Sequence, residues 1–152
     1  MRLFLVLIAI AASTPSAAQT VTDGDTIKVG SVVYRLWGID APELQQICPD
    51  GWAAGRNAAA VLQTLIGRAT VSCVARGKDR YGRTIALCSA GERDLSAAMV
   101  SAGYAWAFTR YSGDYTRQES LARSLGVGVH AHGCEPAWEW RQRKRNAAQP
   151  TP

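Results

Sequence analysis

Residues 22–39, TDGDTIKVGSVVYRLWGI, constrain this chain more tightly than any other stretch. Ile27 and Val29 alternate with polar positions, Gly30-Ser31 makes a two-residue hairpin turn, and Val32 to Trp37 form the return strand. A turn at that point sets residue 25 roughly opposite residue 36, since a short hairpin loop fixes the register. Charged side chains then gather at one end of the hairpin. Asp25 stands on the first strand, Arg35 on the second with its side chain opposite to that of Leu36, and Asp40 beyond Gly38. Asp40 is offset by about four residues from direct pairing, so a bend at Gly38 must bring it near Asp25.

The rest of the chain reads as a small α+β domain. WAAGRNAAAVLQTLIG, residues 52–67, places Ala58, Val61, Leu62, Leu65 and Ile66 at helical spacing, and Gly67 is a natural stop. ATVSCVARGKDRYGRTIALCSAGE is a second hairpin about a charged turn. Asp94 can cap a helix through LSAAMVSAG, with Leu95, Ala98, Met99 and Ala102 on one face. YAWAF is a short strand, TRYSGDY a polar loop, and TRQESLARSLG a further helix. The strand number and lengths suit a five-stranded OB-type β-barrel flanked by about three helices.

Residues 1–18 carry Arg2, an apolar run from Leu3 to Ala12, and small residues at Ser16-Ala17-Ala18. That is the pattern of a secretory signal peptide cleaved after Ala18; the run is too short to span a bilayer comfortably, and a retained anchor is the alternative. The formal net charge of +5 loses only Arg2 with this segment, and a moderate positive balance suits a polyanionic partner without choosing between nucleic acid and membrane. Cys48, Cys73, Cys88 and Cys134 form an even set with no C-x-x-C pair, which in an exported chain predicts disulfides rather than zinc. Cys73 and Cys88 lie about equally far from the turn near Arg80 and Tyr81, so the hairpin would face them; Cys48 is left for Cys134.

Each charged group has a plain reading beside a chemical one. Asp23-Gly24-Asp25 can be an ordinary turn, or, if extended, can aim both carboxylates at one face. Converging carboxylates repel unless a cation neutralises them, and an oxygen-only set without His or Cys favours calcium or magnesium. Arg35 can lie on an exposed strand face or reach across the sheet. Glu43, after the rigid Pro42, can be a solvated loop carboxylate or can take a proton from water. In DRYGR, residues 79–83, the charges can serve solubility, or Arg83 can grip a phosphate while Arg80 and Tyr81 hold a neighbour. His130 and His132 have no evident partners and read as structural. WEWRQRKR, residues 138–145, is basic and aromatic and reads as a solvated terminal helix, with contact to nucleic acid or anionic lipid as the alternative.

Taken in order, DGDT (23–26), RLWGIDAPE (35–43), DRYGR (79–83) and DLSAAMVSAGYAWAF (94–108) resemble the staphylococcal nuclease (thermonuclease) family over roughly residues 20 to 132. The resemblance implies an OB-fold barrel at residues 19–134, with 135–152 as a basic C-terminal tail, and a Ca2+-dependent phosphodiesterase. It implies Asp25 and Asp40 as metal carboxylates and Ala41 as a backbone-carbonyl ligand, although the family's usual threonine is absent there. It implies Glu43 as general base, Arg35 and Arg83 as phosphate-binding catalytic arginines, and Arg80 and Tyr81 at a terminal phosphate. Of two loop tyrosines in the family, one position is Thr109 here and the other keeps Tyr111 for substrate binding. The expected substrates are DNA and RNA, single-stranded or frayed, cut at P–O5′ by a monomer that is secreted or periplasmic and off the membrane after signal cleavage. The alternative is an inactive OB-fold nucleic-acid-binding module. Degenerate members of that kind usually lose the carboxylates or arginines, and Asp25, Arg35, Asp40, Glu43 and Arg83 are all present.

Overall fold

A computed structural model describes residues 18–149; the expected leader, apart from Ala18, lies outside them. Eight strands and four α-helices give the α+β architecture expected among the described residues: β1 (Gln19–Asp23), β2 (Thr26–Val29), β3 (Val32–Leu36), β4 (Ile39–Asp40), α1 (Ala54–Ile66), β5 (Val71–Lys78), β6 (Thr84–Ala90), β7 (Arg93–Asp94), α2 (Leu95–Ser101), β8 (Trp106–Ala107), α3 (Thr116–Leu125) and α4 (Ala137–Ala147). The main sheet runs β1-β2-β3-β6-β5 with β7 beside β6, and β4 pairs with β8 in a separate ribbon.

The first hairpin has the register that its turn demands. Thr26 pairs with Arg35, and the Leu36 amide donates to the Asp25 carbonyl at 2.8 Å. On its other side β3 runs parallel to β6, pairing Arg35 with Ile85. Arg35 therefore springs from the middle of the sheet, with its backbone held from both sides. Gly38 then turns the chain at φ +71°, a conformation that glycine adopts without a Cβ penalty, and β4 brings Asp40 opposite Trp106.

Alternating strand residues and one face of α1 and α2 close the core, among them Ile27, Leu36, Ile39, Leu62, Ile66, Leu95 and Met99. Asp94 caps α2 by accepting the Ala97 amide at 3.0 Å. The buried stripe of α2 is not the one its spacing suggests. Leu95, Ser96, Met99 and Val100 are buried, whereas Ala98 and Ala102 are half-buried, because α2 packs between α1, α3 and β6 rather than against one layer. Both disulfides pair as the cysteine positions predict: Cys73 faces Cys88 across β5 and β6, and Cys48 joins Cys134.

The outer strands β1 and β5 are joined by one side chain. Gln19 accepts the Val71 amide at 2.5 Å and donates to the Ala69 carbonyl at 3.0 Å, so its amide acts as a rung where the ladder ends. Gln19→Ala removes both bonds and leaves the amide of buried Val71 unpaired, and thermal unfolding should show a loss of about 1–2 kcal/mol. An unchanged Tm would mean that the rung adds no stability.

Candidate active site

Arg35 is the hinge of the charged cluster. Its Nη1 lies 2.6 Å from Asp25 Oδ1 and its Nη2 2.6 Å from Asp40 Oδ1, so one planar fork spans a carboxylate from the turn between β1 and β2 and one from β4. Asp25 is further held by the Thr26 hydroxyl at 3.1 Å and the Ala41 amide at 2.9 Å. Both carboxylates are buried, Asp40 completely. Burial works to lower the Arg35 pKa, but the charges of Asp25 and Asp40 outweigh it and hold the guanidinium above its ordinary value. Asp40 is pushed up, chiefly by burial, against hydrogen bonding from Arg141. Burial, reinforced by the neighbouring Asp25, raises Asp23 to about 6.

Arg83 reaches the same cluster from the second hairpin. Asp79 organises that turn, accepting the amides of Tyr81 and Arg83 and the Arg83 Nε at 2.7 Å. This aims Arg83 Nη1 to within 3.5 Å of Thr26 Oγ1, the hydroxyl already bonded to Asp25. Tyr81 is exposed, with the guanidinium of Arg80 4.9 Å and that of Arg83 5.7 Å from its ring centroid. Tyr111 stands elsewhere. It is exposed on the loop after β8, against Phe108 with ring centroids 5.2 Å apart.

Glu43 sits on a loop with several anchors. Its amide donates to Gln46 Oε1, the Gln46 amide donates to its carbonyl at 2.7 Å, and the buried Gln46 side chain donates to the Glu135 carbonyl at 2.8 Å. Gly55 at the start of α1 lies so close to this loop that a Cβ there would stand 1.8 Å from the Glu43 carbonyl oxygen.

The residue that sequence reasoning missed is Arg141. Residues 138–145 lie within α4, and this helix is not merely solvated. Trp138 packs on Trp106 and Phe108, with centroids at 6.2 and 5.6 Å, and Arg141 enters the cluster. Its Nη2 is 2.7 Å from Asp40 Oδ2 and its Nη1 2.6 Å from Glu43 Oε1. One signal was available: pairing Cys48 with Cys134 necessarily starts the C-terminal segment beside the Glu43 loop. His132 stacks on Trp52 at 4.2 Å with its Nδ1 2.6 Å from Asp50, and neither histidine joins the cluster. Among the described residues, no group of three or more His, Cys, Asp or Glu side chains is arranged to hold a metal ion.

The staphylococcal nuclease homologue family matches residues 33–129. The chain belongs to that family. A micrococcal nuclease of Shigella flexneri is 35% identical over 147 residues, covering 84% of this chain and 80% of the relative. An uncharacterized endonuclease of Haemophilus influenzae is 34% identical over 137 residues, covering 84% and 74%. A probable staphylococcal-like nuclease of Oryza sativa subsp. japonica is 32% identical over 118 residues, which is 76% of this chain but 23% of the relative. This staphylococcal nuclease homologue is thus a nuclease, a hydrolase of phosphodiester bonds. The family match includes Arg35, Asp40, Glu43 and Arg83, begins after Asp25, and ends before α4.

Gly55→Ala forces the Glu43 loop off α1. It should cost about 1–3 kcal/mol through overpacking; should Glu43 act on the substrate, nucleolytic turnover falls by up to about 100-fold as well, the expense of displacing a reacting group by an ångström. Thermal unfolding beside single-turnover kinetics checks it; full activity in a folded variant would remove Glu43 from the chemistry.

Proposed function

We propose that this nuclease is exported and calcium-dependent, and cleaves DNA and RNA with little sequence preference. The observation that carries the reading is the convergence of Arg35, Asp25, Asp40, Glu43 and, through Thr26, Arg83 on one small volume. Asp25, Asp40 and the backbone carbonyl of Ala41 would hold the cation. The donor chemistry fits: the side chains of Asp25 and Asp40 and the backbone carbonyl of Ala41 all offer oxygens, the donors a hard divalent cation takes. Calcium, when bound, supplies charge neutralisation at the phosphate oxygens.

The protein's own groups do the rest. Arg35 and Arg83 present planar forks to non-bridging phosphate oxygens, whose charge grows in the transition state. Glu43, at the mouth of the site, accepts a proton from water as the water oxygen attacks phosphorus. The P–O5′ bond breaks, the alkoxide takes up a proton, and a 3′-phosphate remains. Arg80 and Tyr81 lie beside Arg83, where a neighbouring phosphate would be held, and Tyr111 would meet a more distant nucleotide. These groups address backbone rather than base edges, which suits single-stranded or frayed DNA and RNA. Export is supported by the two disulfides and the leader-like residues 1–18; no described helix is long and apolar enough to cross a membrane.

Digestion of single-stranded DNA by the disulfide-intact protein should proceed with calcium and stop with a chelator. Glu43→Gln should lower the rate by on the order of 100-fold or more while oligonucleotide binding persists. Cleavage indifferent to chelator contradicts the metal reading; binding without cleavage under any divalent cation identifies a binding module instead.

A further inference from the structure

Helix α4 sends one cation inward and keeps the rest outside. Arg143 pairs with Glu135 at the surface and Lys144 lies 5.3 Å from the Trp140 ring centroid, whereas Arg141 bonds both Asp40 oxygens and Glu43. Its placement is fixed from several directions. The Cys48–Cys134 disulfide and the Gln46 bond to the Glu135 carbonyl hold the segment before α4 against the Glu43 loop, and Trp138 packs one turn before Arg141. The Asp40 side chain has no solvent exposure, beneath Arg35 at 18% and Arg141 at 31%. Arg141 is therefore the outer cover of Asp40, and it engages the Oδ2 that Arg35 leaves free.

We propose that Arg141 is a positioning residue that serves as the site's resident counter-cation, holding Asp40 and Glu43 in place and yielding Asp40 to the divalent cation. The inference rests on the calcium reading above. The Arg141 guanidinium and a metal ion cannot both take Asp40 Oδ2, the oxygen that Arg35 leaves free, since two cations at such a separation repel strongly in a partly buried site. Binding of the cation is then an exchange, and its affinity is set in part by a helix beyond the family-wide match. The same exchange frees Glu43 from its ion pair. Because the disulfide keeps α4 attached, the displaced arginine stays beside the site.

Calorimetric titration with calcium, without substrate, compares the wild-type protein with Arg141→Gln, disulfides intact. The variant should bind calcium more tightly, by on the order of tenfold, because the competitor is gone, while its Tm without calcium falls. Unchanged or weaker binding overturns the proposal, and weaker binding is what loss of a merely structural contact would produce. Should the variant fail to fold, the wild type supplies the answer: amide exchange in residues 137–147 should quicken as calcium saturates, and unchanged or slower exchange overturns the proposal. Calcium binding by the variant alone supports the exchange outright. If neither protein binds calcium, the cation reading falls and this inference falls with it.

Discussion

The Arg35 guanidinium, 2.6 Å from Asp25 on one side and 2.6 Å from Asp40 on the other, is the contact on which the site depends. Two buried carboxylates this close would repel and would each lose hydration; without a counter-charge the folded state could not keep both ionised. The fork solves this and also sets geometry. β3 is central, paired with β2 and β6, so the arginine's backbone cannot wander. Everything nearby is placed relative to it: Asp25 by the hairpin register, Asp40 by the turn at Gly38, and Arg83 through the Thr26 hydroxyl.

Much of this was legible in the sequence because it is local. A two-residue turn at Gly30-Ser31 dictates which residues of β2 and β3 face each other, and the Cys73–Cys88 pairing follows from an equally local hairpin. The charge motifs identify the family, and the family match covers most of them. The buried stripe of α2 was less legible, since helical spacing assumes one packing layer and α2 touches three elements.

Arg141 was illegible for a different reason. Its partners Asp40 and Glu43 lie 101 and 98 residues away in sequence, and a basic run at the end of a chain usually belongs in water. What draws α4 in is apolar and covalent. Trp138 covers Trp106, the strand partner of Asp40, and Cys134 is bonded to Cys48 on the Glu43 loop. The disulfides thus do more than stabilise a small domain; one of them delivers a side chain to the site.

The central claim is that the carboxylates around Arg35 form a cation site facing a phosphate. Its most direct test is a crystal structure grown with calcium and a short oligonucleotide on a Glu43→Gln variant, with calcium located by anomalous scattering. The claim predicts an ion at about 2.3–2.6 Å from oxygens of both Asp25 and Asp40, with a phosphate in contact with Arg35 and Arg83. Calcium bound elsewhere, or a phosphate that meets neither arginine, would contradict it.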